Sequence, residues 1–105
     1  MTDEVYAKIH QKDGRQVLAM ADPELIGATL TNDRLRFRVS SHFYAGTLLP
    51  KHDALELLRN FPNANLLGSV VLSAVEEGLV SEEAILWVHE EATGQQVPHA
   101  MIIHI

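Results

Sequence analysis

Between residues 34 and 40 the side chains alternate without a break. Leu35, Phe37 and Val39 fall on one side, and Arg34, Arg36, Arg38 and Ser40 on the other. A period-two pattern of this kind belongs to a strand with one packed face and one wet face. Antiparallel sheets tolerate a wet face, whereas all-parallel sheets need both faces covered. The chain is therefore expected to build around a sheet that is mostly antiparallel.

The neighbouring segments fit that frame. Val5, Ala7 and Ile9 alternate with Tyr6, Lys8 and His10, and Asp13-Gly14 supplies a hairpin turn before a returning strand at 15–21. Asp22-Pro23-Glu24 opens a short helix, with Asp as the cap and Pro at the first helical position. Residues 43–49 are expected to pair with the strand at 34–40. Pro50 opens a helix through about Asn60. Asn63 is expected to cap a longer helix to about Glu77, stopped by Gly78, whose Leu66, Leu67, Val70, Val71, Ala74 and Val75 form a wide apolar arc. Strands follow at 85–90 and 98–105. The fold class read from this order is α+β, a mostly antiparallel sheet with two to three helices packed on one face.

At 105 residues the chain is expected to form a single domain over 1–105. A hydrophobic content of 47% against 21% charged residues argues against disorder. With no cysteine, disulfides, zinc thiolates and cysteine nucleophiles are excluded. Met1-Thr2-Asp3-Glu4-Val5 lacks a basic segment followed by an apolar one, so no secretory leader is expected, and no apolar run reaches membrane-spanning length. A cytoplasmic protein with no membrane partner is the expectation. Charge is uneven: residues 1–52 hold seven of the eight basic side chains against six acids, whereas residues 53–105 hold Arg59 against eight acids. A net charge of −6 disfavours nonspecific binding to nucleic acid but leaves room for a local basic patch.

Five segments, taken together, resemble the archaeal domain-of-unknown-function family 424. They are Asp22-Pro23-Glu24-Leu25-Ile26-Gly27, Val39-Ser40-Ser41-His42-Phe43-Tyr44-Ala45-Gly46, Ala64-Asn65-Leu66-Leu67-Gly68, Glu77-Gly78-Leu79-Val80 and Val97-Pro98-His99-Ala100. Ala45 and Gln96 stand where that family often carries glycine. The resemblance implies an archaeal, intracellular protein. It implies no activity, and it suggests at most a link to translation.

Four constellations could carry chemistry. Arg34, Arg36 and Arg38 would project from one strand face at about 6–7 Å spacing, followed in sequence by His42, Phe43 and Tyr44. Guanidinium forks hold phosphates and aromatic faces stack on bases, a combination suited to single-stranded RNA or a phosphorylated ligand. The alternative is a solvated face, its arginines paired to acids such as Glu90 or Glu91. Six histidines lack the helical spacing of a zinc enzyme, although His89 and His99 could meet across the last hairpin; no metal or other cofactor is expected. His99, set between Pro98 and Ala100, is a candidate positioned imidazole. Asn65 is expected in the first turn of the long helix, near free backbone amides.

No catalytic set is recognisable, since the carboxylate pairs are adjacent in sequence and do not converge. The leading expectation is a noncatalytic binding module for RNA or a translation protein, through Arg34, Arg36, Arg38, Phe43 and Tyr44. The alternatives are a protein-interaction domain or homodimer, and a small enzyme or ligand-binding domain centred on His99 and Asn65.

Overall fold

The computed structural model describes residues 3–103. The Asp13-Gly14 turn forms as expected, with φ of 53° and 77°, and joins β1 (Glu4–Lys12) to β2 (Arg15–Ala21). A 3-10 turn at Pro23–Leu25 leads to β3 (Thr29–Thr31) and β4 (Arg36–Arg38), an antiparallel pair. Helix α1 (Ser41–Tyr44) returns the chain to β5 (Thr47–Pro50), which pairs with β1. Then come α2 (Lys51–Leu58), β6 (Ala64–Leu67), α3 (Ser69–Glu76), β7 (Leu86–Glu90) and β8 (Gln96–Ile102). Among the described residues no helix is long and apolar enough to cross a membrane.

One eight-stranded sheet results, in the order β4-β3-β7-β8-β6-β2-β1-β5. It is mixed: β2 and β6 run parallel, and the other pairings are antiparallel. The α+β class stands, with three corrections. The first concerns residues 64–67, which form a central strand instead of the first turn of a helix. Ala64 and Leu66 point into one core and Leu67 into another, so this segment is packed on both faces. An apolar run of that kind satisfies helical and strand periods alike. Gly68, at φ 95° and ψ −154°, separates the strand from the helix that begins at Ser69.

The second correction is that the helices do not share one face. Val70, Val71 and Ala74 of α3, with Ala54, Leu55 and Leu58 of α2, pack against Val5, Leu18, Met20 and Leu66. On the other face Tyr44 of α1 joins Leu25, Val39, Ala19, Ala21, Leu67 and Val88 in a smaller core. Strand β2 feeds both cores, which explains the unbroken apolar run Leu18-Ala19-Met20-Ala21. The strands expected at 34–40 and 43–49 are likewise not partners: β4 pairs with β3, and β5 with β1. The final strand ends at Ile102 within the described residues, and His104 lies outside them.

Candidate functional site

Register fixes which side chains share a surface, because directly paired residues point to the same side of a sheet. Thr31 pairs with both Arg36 and His89. Arg38 lies two residues beyond Arg36, and Trp87 two before His89, so all four side chains project from one face. Helices α2 and α3 lie over β1, β2, β5, β6 and β8, leaving this part of the face open. Trp87 is 48% exposed as a result. Arg34 precedes β4, in a turn where Asn32 Oδ1 accepts from the Arg34 and Leu35 amides at 2.8 and 3.1 Å. From there it lines one hollow with Trp87 and His89.

The three arginines are not equivalent. Arg36 grips Glu91 with a fork, Nε to Oε2 at 2.5 Å and a terminal nitrogen to Oε1 at 3.1 Å. That hydrogen bond holds the Glu91 carboxyl below its usual range, and the same contact raises Arg36. The pairing with Glu91 weighed for the whole row thus occurs at one of its members. Arg34 and Arg38 make no side-chain ion pair among the described residues.

The rings that follow the row in sequence lie elsewhere in space. Ser40 accepts from the Phe43 amide at 3.2 Å and caps α1, turning the chain under the sheet. Phe43 and Tyr44 therefore sit on the face opposite Arg36 and Arg38, and Tyr44 is buried at 5% exposure. The aromatic side chains beside the arginines are Trp87, which the sequence does not single out, and His89, expected only as a partner of His99. The alternation Trp87-Val88-His89 carried the signal, but only the β3–β7 pairing brings it to the arginines.

On that opposite face the structure does join three of the nominated residues. Asn65 Oδ1 accepts from the Tyr44 hydroxyl at 2.7 Å and from His99 Nε2 at 3.1 Å. Asn65 reaches His99 because β6 and β8 are neighbours, with Asn65 opposite Met101 and Leu67 opposite His99. This contact places the His99 proton on Nε2 and leaves Nδ1 as an acceptor. Burial lowers the His99 pKa, favouring the neutral ring, and pushes the Tyr44 phenol up to about 12. Phe37 lies against His99 at 5.9 Å between centroids. His89 does not meet His99: it pairs with Gln96 and points to the other face. Among the described residues no three His, Cys, Asp or Glu side chains converge to hold a metal.

A third cluster had no counterpart in the sequence reading. Asp22, expected to cap its own short helix, makes no side-chain bond there. Its carboxylate instead accepts from the Ser69 amide at 2.6 Å and the Ser69 hydroxyl at 2.9 Å, capping α3 from 47 residues away. Lys51 Nζ donates to the same hydroxyl at 2.9 Å. Burial raises the Asp22 pKa, opposed by both Ser69 hydrogen bonds. The long separation left no local signal.

Residues 10–105 match a family described as "Protein of unknown function (DUF424)". The chain belongs to that family. It is also similar to a solved structure, an uncharacterized conserved protein from Methanopyrus kandleri. The likeness has a TM-score of 0.66 and 25% identity, and it covers 97% of this chain and 95% of the other. Among curated proteins none matches this DUF424 member.

Proposed function

We propose that this DUF424 domain is a noncatalytic binding module for single-stranded RNA, with the strand lying on the open sheet face around Trp87. The observation that carries the reading is that Arg34, Trp87 and His89 line one hollow, beside the outward Arg36 and Arg38. An exposed indole stacks on any base, and guanidinium groups next to it take the phosphates. The acids concentrated in the second half of the chain keep general affinity for polyanions low, so binding belongs to this patch and weakens steeply with salt.

Trp87 is the single tryptophan, so its own fluorescence reports the contact. Titration with oligouridylate at low salt should quench that emission. By anisotropy of a labelled strand, Trp87→Ala should weaken binding by about 5- to 150-fold, the span of one stacking contact. Arg34→Ala with Arg38→Ala should lower the slope of log affinity against log salt by about 0.7 for each phosphate no longer neutralised. Unchanged emission at saturating strand, or unchanged affinity in both variants, would remove the proposal.

A further inference from the structure

The face that carries Asn65 also carries a groove of about 570 Å3, within the usual range for small-molecule sites. It runs across the ends of β1, β2, β6 and β8 beside α1. Val17, Met101 and Ile103 give it an apolar floor, and nothing else among the described residues covers that floor: Met101 is 53% and Ile103 66% exposed. His10 and Phe43 form one wall, their rings 4.5 Å apart and within 13° of parallel. The wall is held in place. His10 Nε2 donates to the Phe43 carbonyl at 2.7 Å, and Phe43 rests edge-on against buried Tyr44 at 4.8 Å.

The polar groups at the groove are specific. Asn65 Oδ1 is engaged by Tyr44 and His99, so this side chain can offer the groove only its Nδ2 hydrogens. Those hydrogens have no partner among the described residues, and no polar atom there is both sealed and unpaired, so Nδ2 reaches solvent. Arg15 lines the groove too, with no ion pair among the described residues. In a chain with fourteen acids, not one of those described lines this groove. The larger hollow near Asp22 holds Asp3, Glu4, Glu24 and Glu90 as well, and would repel an anion.

We propose that this groove binds a planar aromatic ring bearing one anionic group, the chemistry of a nucleoside monophosphate. The ring extends the His10–Phe43 stack over the Met101 floor. Asn65 Nδ2 meets an acceptor on its edge, and Arg15 takes the anion. A free nucleotide and the phosphorylated end of a strand present the same chemistry. The site is separate from the Trp87 face and does not depend on it.

The test is nitrogen- and carbon-edited NMR of the full chain, with AMP, adenosine and a 5′-phosphorylated oligouridylate as probes. AMP should move the Asn65 side-chain amide and the Met101 methyl, and should bind at least about fivefold tighter than adenosine, a modest electrostatic advantage. Arg15→Ala, at an exposed position, should erase that preference, and Phe43→Leu should weaken AMP while Trp87→Ala leaves it unchanged. Followed at the Asn65 amide in Trp87→Ala, which removes the other face, tighter binding by AMP than by the oligonucleotide identifies a free nucleotide as the source, and the reverse order a strand end. No shift at Asn65 with AMP at about 10 mM, well above the concentration that fills weak sites, overturns the proposal, as do shifts confined to Trp87 and Arg34.

Discussion

Replacing Asp22 with Ala should cost this fold more than any surface change. The carboxylate is 7% exposed and accepts two hydrogen bonds from Ser69, one from the first amide of α3. Hydrogen bonds to a charged group contribute about 1.5–3 kcal/mol each, so the pair amounts to roughly 3–6 kcal/mol before offsets. The burial that raises the Asp22 pKa works against the ionised form and cancels part of this. Loss of a helix cap alone costs about 0.5–2 kcal/mol. A net loss of about 2–3 kcal/mol follows, or about 10–15 °C in melting temperature for a domain of this size. Because α3 brings Val70, Val71 and Ala74 to the larger core, the loss should be global and cooperative. Urea denaturation of wild type, Asp22→Ala and Asp22→Asn gives the numbers. The pH dependence adds a second readout. A carboxyl whose folded pKa lies above 3.8 binds its proton more tightly in the folded state. Its contribution is fully present below 3.8 and is lost as pH rises through the folded value. The advantage of wild type over Asp22→Asn should therefore widen on acidification. A loss below about 0.5 kcal/mol in Asp22→Ala, the size of an ordinary surface change, or an advantage that narrows in acid, would refute the reasoning.

Gly68→Ala should destabilise by at least about 2 kcal/mol, since φ 95° with ψ −154° is nearly exclusive to glycine and the new Cβ would lie 2.6 Å from Asp22 Oδ2; an unchanged urea midpoint contradicts this. His99 titrates below 6.5 in the fold because burial disfavours its charged form, so its share of stability is present above pH 6.5 and is lost as pH falls through the folded value. His99→Gln should flatten that part of the stability profile, and imidazole nitrogen shifts should report the Nε2–H tautomer; a profile with the same slope in the variant argues against the assignment.

Legibility in the sequence followed locality. The β1–β2 hairpin was plain, because Asp13-Gly14 and the flanking alternation lie within a few residues of one another. The outward row at Arg36 and Arg38 was plain for the same reason. What failed were features decided at a distance. Leu66-Leu67 reads as helix or strand until β2 and β8 flank it, and the short β3 has no periodicity to read. Phe43 and Tyr44 follow the arginines by a few positions, yet the Ser40 cap turns them to the other side, while Trp87 arrives from 50 residues downstream of Phe37. Asn65 and His99 were paired in one of the alternative readings, with Asn65 placed on a helix, and the β6–β8 register supplies the geometry by which they meet.

Strand order also dictates an assembly sequence. The hairpin with β5 occupies one flank of the sheet, and β3, β4 and β7 the other. Only β6 and β8 span the gap, and β8 is the last strand among the described residues. Before it docks, the flanks are two fragments tethered by polypeptide, each with an unpaired margin. Closure thus waits for a long-range contact, the costly kind in chain entropy. Slow, late consolidation of the far flank is the kinetic signature this arrangement imposes. A chain cut short of Gln96 would deprive α3 of the strand it packs on most and have nothing to clasp the halves together.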